Sequence, residues 1–255
     1  MSKVYHRAEL LGRVADPPPS QPLMDGVHYL DWRPPAVLDA HTKSVVYRAL
    51  LAGASRAFGA DLTNYWHDRE TEGFLDRLSR FVMIFDADQA LVGWTGYRLI
   101  QQAGDRCCLY IDSTVLQPEQ QSRGLMRRLY EALLAAEPVL VSSDVYVAAR
   151  TESPVFYRLF AGLFGRDSVY PQPGVDVPRD VIQCATELAE DLGQRSIFDP
   201  PTLRVLGAYN NVAALYGELP SSGISDLDRF FRDQLGPLDA FLLVATPRRR
   251  PGIGE

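Results

Sequence analysis

Residues 116–130, LQPEQQSRGLMRRLY, hold the residue types that could grip an anion. A proline and a polar run lead into one glycine, and an amphipathic helical pattern follows. The first amides of a helix have no internal partners, and the helix dipole puts partial positive charge there. Such a turn can cradle a phosphate or pyrophosphate. Gly124 lets the backbone approach closely, and Arg123, Arg127 and Arg128 add positive charge around it. The amides of residues 122–126 would point at one spot. The alternative is an ordinary strand-to-helix loop with solvated arginines. The sequence has neither a Walker-type loop nor a three-glycine dinucleotide fingerprint. A second chemistry-bearing residue lies just upstream. Tyr110, Asp112 and Thr114 share one strand face, opposite Leu109, Ile111 and Val115. Asp112 is a carboxylate in an otherwise apolar strand, heading into the loop. Burial would raise its pKa toward that of a useful base. A neighbouring arginine would instead pair with it.

The elements that must position these residues follow from the hydrophobic period. Residues 81–85, 90–101 and 106–116 read as three strands, joined by the tight turns DADQ and AGD. Two short turns in succession imply an antiparallel meander. Pro118 ends the third strand. Leu125, Leu129, Ala132, Leu133 and Ala136 then fall on one face of a helix over 125–136. VLVSSDVYVAA (139–149) reads as a strand, so the step across the helix is a strand–helix–strand crossover. Residues 153–164 read as a helix, with Ser153 as cap and Pro154 at its first position. Upstream, 27–34 suits a strand and 37–58 a helix. Residues 61–80 suit a second helical region with Thr71 or Asp68 as cap. Downstream, 178–193 and 225–235 suit helices, and 202–209 and 240–245 strands. Residues 1–25, with their ADPPPSQP run, read as a flexible lead-in.

The 255 residues are 46% hydrophobic and 23% charged, an ordinary globular composition. The net charge of -6 argues against nucleic acid as a partner. The basic PRRRPG run opens a tail, 247–255, that reads as a solvated terminus. Cys107, Cys108 and Cys184 show no C-x-x-C pair and read as reduced, buried thiols. His6, His28, His41 and His67 have no metal-ligand spacing, so no metal is expected. No run reaches the roughly 18 apolar residues of a membrane span, and no signal peptide is evident. A cytoplasmic protein is expected, with no membrane partner. GASRA (53–57) falls one residue short of a nucleophile elbow and sits inside a helical pattern. Tyr47, Asn64, Tyr65, Trp66, Phe74 and Trp94 could line an acceptor pocket or pack as core.

The order of these features resembles the GNAT superfamily of acetyl-CoA-dependent N-acetyltransferases. The family's loop pattern, Gln/Arg-x-x-Gly-x-Gly/Ala, reads here Gln121-Ser122-Arg123-Gly124-Leu125-Met126. Met126 departs from the final small residue. A family segment like Asn-x-x-Ala-x-x-x-Tyr reads Arg150 through Tyr157, with Arg150 in place of the asparagine. The resemblance covers 80–165 and extends over 27–80. It implies an α/β fold: a GNAT-like mixed sheet, an antiparallel meander followed by a strand–helix–strand crossover, flanked by helices, with a C-terminal extension. One domain would run over 26–246, with an insertion or extension at about 165–235. The resemblance also implies a site. Acetyl-CoA, the acyl donor, would lay its pantetheine along Thr114, Val115 and Leu116. Its pyrophosphate would sit in the loop of Gln121, Ser122, Arg123, Gly124, Leu125 and Met126. Tyr157 matches the family's general acid, against the alternative of a packed helix tyrosine. Asp112 is the expected base, with Glu152 and His67 as weaker candidates. The acceptor would be an amine of a small molecule or peptide. A different acyl donor, or a non-catalytic acyl-CoA-binding protein, are the alternatives. The late strand AFLLVA could complete its own sheet or meet a partner's, which leaves a homodimer open.

Overall fold

The computed structural model describes residues 3–104, 106–141 and 145–246. The 247–255 tail lies outside them. The chain is mixed α/β, with mostly antiparallel strands flanked by helices. In chain order the elements begin with α1 (Arg7–Leu11), β1 (Gln21–Met24), β2 (Val27–Trp32) and α2 (Ala40–Phe58). The helices α3 (Thr63–Thr71) and α4 (Phe74–Arg77) and the strands β3 (Arg80–Phe85), β4 (Leu91–Gln101) and β5 (Cys107–Leu116) follow. Next come α5 (Leu125–Ala135), β6 (Val145–Thr151), α6 (Pro154–Phe164), β7 (Val169–Tyr170) and α7 (Arg179–Asp191). The last elements are β8 (Phe198–Asp199), β9 (Arg204–Val205), α8 (Ser225–Gln234) and β10 (Ala240–Ala245).

Two compact units divide the chain. The first comprises Met1–Arg98, Ile111–Leu129 and Asn211–Glu218; the second comprises Leu99–Tyr110, Tyr130–Asn210 and Leu219–Glu255. In the first unit the strand order is β1-β2-β3-β4-β5. β2, β3 and β4 pair antiparallel in turn, and a tight turn joins β3 to β4. Helix α2 covers it through Val46, Leu50 and Ala54, all fully buried and spaced by one turn each. Burying Val46 and Leu50 contributes about 1.5–3 kcal/mol each. Asp39 caps α2, accepting from the Thr42 amide at 2.8 Å.

Three expectations for this unit are corrected. The lead-in is not loose: α1 buries Leu10 and Leu11, and β1 pairs with β2. The 61–80 region is two helices, because Gly73 takes a left-handed φ of 67° between them. Neither Thr71 nor Asp68 caps a start there. Asp61 accepts from the Thr63 amide instead, and the Thr71 hydroxyl donates to His67 O.

In the second unit β5, β6, β10, β9 and β8 are successive neighbours, and β7 also pairs with β10. The register sets Phe241 of β10 opposite Thr151 of β6 and Ala240 opposite Val205 of β9. Helix α7 packs Val181, Cys184, Ala185, Leu188 and Ala189 on a core with Cys108, Tyr110, Ala148, Leu242 and Val244. None of the three cysteines forms a disulfide, and Cys107 is half-buried. Residues 139–149 are not one strand. Pro138 opens a 3-10 turn through Val141, and the strand begins at Val145. Strand 202–209 shrinks to two residues. Among the described residues, no helix is long and apolar enough to cross a membrane.

Candidate active site

The loop after β5 is built from its ends inward. The Gln117 amide donates to Val92 O at 2.8 Å, which keeps β5 paired with β4 up to the loop. The Gln117 side chain is 4% exposed and donates to Gly53 O at 2.8 Å, tying the loop to α2. Pro118 starts one 3-10 turn through Gln120. The Gln121 side chain then reaches back to Leu116 O at 2.9 Å. Arg123 donates to the Gln120 side chain. Ser122 and Gly124 both take left-handed backbones, with φ of 61° and 76°. Alternation of this kind turns successive amides toward one side, the geometry of an anion-binding nest. Arg128 N donates to Gly124 O at 3.1 Å, which places Gly124 at the start of α5.

This chain fits the pyrophosphate that the loop pattern implies. A Cβ built on Gly124 meets nothing within 4 Å, so space lies open beside the backbone there. Leu125 and Met126 are 1% and 8% exposed, so their side chains pack inward. Met126 therefore does not crowd the loop as its size suggests. The residues expected along the pantetheine are less open. Val115 is buried, and the Thr114 hydroxyl meets that of Thr95 at 3.2 Å. The Leu116 carbonyl already accepts from Gln121. Gly93 of β4 lies against this end of β5. A Cβ there would sit 2.6 Å from Val115 O and 2.9 Å from a Leu116 methyl. Gly93→Ala should therefore push the strands apart and destabilise by about 1–3 kcal/mol, read by urea unfolding. An unchanged midpoint would show that β4 and β5 separate without cost.

Asp112 sits in the first unit between two arginines. Its Oδ1 accepts from Arg69 at 2.6 Å, and Arg98 lies 3.1 Å from Oδ2. All three side chains are nearly buried, at 7%, 11% and 10% exposed. Arg69 also donates to the Asp112 carbonyl at 3.3 Å and to the Tyr65 hydroxyl at 3.0 Å. Its guanidinium stacks 4.2 Å from the Phe74 ring centre, a cation–π contact. Both carboxylate oxygens thus face guanidinium groups, and any incoming proton must displace a charge-assisted contact. This is the ion-pair arrangement open to Asp112 from its sequence. The aromatic residues nearby are core: Tyr47, Trp66, Phe74 and Trp94 are each at most 5% exposed. Trp66 packs edge-on to Phe74 and Trp94, at 5.7 and 5.9 Å. His67 is exposed.

Tyr157 and Glu152 belong to the second unit. Ser153 caps α6 by accepting from Phe156 N, and Pro154 takes the first helical position. One turn on, Tyr157 is 3% exposed and its ring meets Phe231 edge-on. Its hydroxyl donates to Pro171 O at 3.0 Å. Burial pushes the phenol up to about 12. An acid role requires the proton to leave Pro171 O. Glu152 immediately precedes the cap and is 7% exposed, and burial alone raises its carboxyl to about 7. Its burial was not legible in sequence. Arg150, in the family's asparagine position, lies over the Tyr209 ring at 5.0 Å.

Residues 47–139, from within α2 to past α5, match the model of the Acetyltransferase (GNAT) family. That stretch of the chain is similar to a GNAT acetyltransferase domain. The matched span contains the loop, β5 and Asp112. No curated protein matches the sequence. Solved structures similar to this chain include an aminoglycoside acetyltransferase from an uncultured soil metagenomic sample. It shares 16% identity over 60% of this chain and 97% of its own, with a TM-score of 0.40. A GNAT family N-acetyltransferase from Escherichia coli in complex with CoA shares 17%, over 44% and 61%, at 0.33. A ribosomal-protein-S5-alanine acetyltransferase from Vibrio fischeri shares 13%, over 57% and 81%, at 0.36.

Proposed function

We propose that the protein is an N-acyltransferase that moves an acetyl group from acetyl-CoA to an amine of a small molecule or peptide. The observation that carries this is the loop of residues 117–126. Its two left-handed residues and the open space at Gly124 fall inside the GNAT match. The amides of Arg123, Gly124 and Met126 would hold the pyrophosphate, and the backbone of Thr114 and Val115 would hold the pantetheine. Bound acetyl-CoA supplies an activated thioester that an amine can attack directly. Tyr157 keeps its proton at Oη at neutral pH, because its pKa of about 12 lies above the thiol range, and is the group to protonate a leaving thiolate. Asp112 anchors Arg69 and Arg98 beside the strand that carries the pantetheine backbone.

Calorimetric titration with acetyl-CoA and with free CoA tests this. Both should bind at micromolar Kd, roughly 8 kcal/mol. Gly124→Glu adds a Cβ at a φ of 76° and a negative charge in the cradle. Affinity should fall about 100-fold, or roughly 2.7 kcal/mol. Absence of binding by the parent chain sinks the reading. Binding without thiol release across a panel of amines would leave an acyl-CoA-binding protein.

A further inference from the structure

Gln117 is fixed in three directions where the chain leaves β5. Its amide donates to Val92 O of β4 at 2.8 Å, and its carbonyl accepts from the Gln120 amide at 2.9 Å. Its side-chain Nε2 donates to Gly53 O of α2 at 2.8 Å. One turn along α2 from Gly53, Arg56 pairs with Glu119 of the same loop. Two features of this joint work against stability. A glycine inside α2 weakens the helix. Yet a Cβ on Gly53 would lie 2.8 Å from the Trp94 ring and 3.2 Å from Gln117 Nε2, so the close approach requires it. Gln117 is 4% exposed, and among the described residues its Oε1 accepts no hydrogen bond. An apolar side chain of the same shape would strand no buried acceptor. What the glutamine adds is the bond to α2. Local conflicts of this kind concentrate at functional sites. The loop that leaves this joint carries the left-handed Ser122 and Gly124.

We infer that Gln117 is a positioning residue. Its side chain holds the start of the loop against α2, and so fixes the direction in which the amides around Gly124 point. It touches no ligand and acts through the backbone it anchors. Only the ligand those amides would hold, the pyrophosphate of acetyl-CoA, comes from the acyl-transfer reading. Arg56 and Glu119 form the second tie, but their side chains are 38% and 59% exposed, where solvent leaves an ion pair weak. The buried bond of Gln117 is therefore the tie that decides. Losing it should cost ligand affinity and leave folding stability intact, a split that a merely structural side chain would not produce.

Gln117→Met in the full chain tests this, because methionine keeps the unbranched shape and drops both polar atoms. The midpoint of urea unfolding should hold or rise. Amide ¹⁵N relaxation should show order parameters at Ser122 and Gly124 falling from about 0.85 in the parent to below about 0.6 in the variant. The Kd for acetyl-CoA, read by calorimetry, should rise about tenfold. Val181→Ala, a truncation in the buried face of α7, is the control. It should lower the midpoint and leave the loop amides unchanged. If Gln117→Met does not fold, Gln117→Asn, one methylene shorter, withdraws the same donor. Order parameters that stay high in the variant overturn the proposal, whatever the cofactor does. So does an unchanged Kd, or a midpoint that falls as far as that of Val181→Ala. A parent chain that does not bind acetyl-CoA sinks the acyl-transfer reading alone, and the order parameters then decide for Gln117.

Discussion

Asp112→Ala should cost the first unit about 3–5 kcal/mol, because it strands two nearly buried guanidinium groups. Asp112→Asn should cost less, since the amide oxygen still accepts one bond from Arg69 or Arg98. The loss should concentrate where the clamp acts. Arg69 is the residue that ties α3 to β5, through the side chain and carbonyl of Asp112. Hydrogen exchange in α3 should therefore accelerate more than exchange in α2. The pair of variants also separates the two roles open to this residue. A clamp loses stability, and its kinetics follow from that loss. A base loses about 10²–10⁴ in rate while stability holds. Full stability with a collapsed rate for Asp112→Asn would overturn the clamp.

The second large effect is a pH dependence set by Glu152. Its folded pKa, about 7, lies above the usual 4.5, so the folded state binds more protons between those values. Stability from this group is therefore fully present below about pH 4.5 and is lost as pH rises through about 7. The change amounts to roughly 3 kcal/mol across the window, since each unit is worth about 1.4 kcal/mol. Glu152→Gln carries a neutral isostere and should lack that slope. The variant should match the parent near pH 4.5 and exceed it above pH 7. Urea unfolding at both pH values reads the difference, and parallel pH profiles would refute it.

The parts of the fold that local chemistry dictates were legible. Alternating apolar residues and two tight turns placed β3, β4 and β5 to within a residue or so. Ser153 and Pro154 placed the start of α6, and the 3.6 period placed α5, α7 and α8. Where distant chain segments decide, sequence fell short. Asp112 and Arg69 lie 43 positions apart, and no spacing rule pairs them. The 139–149 stretch is β-rich in composition, yet Pro138 opens a 3-10 turn there and the strand starts only at Val145. Residues 1–25 looked unstructured because of their prolines, but β2 offers an open edge that β1 fills. The place of the Gly124 loop between β5 and α5 was legible from residue types alone. The inward turn of Met126 and the burial of Glu152 were not, because both depend on what packs around them.

The place of β10 between β6 and β9 bears on how the protein is made. Its partners are synthesised first, yet neither can reach the other's side of the sheet without it. During translation the second unit must wait, with two open strand edges, until residues 240–245 have emerged. Open edges invite pairing with other chains. Such distant pairing is also slow. The nascent chain therefore passes through a sticky interval in which a chaperone has something to hold, and it ends when the last strand slots in.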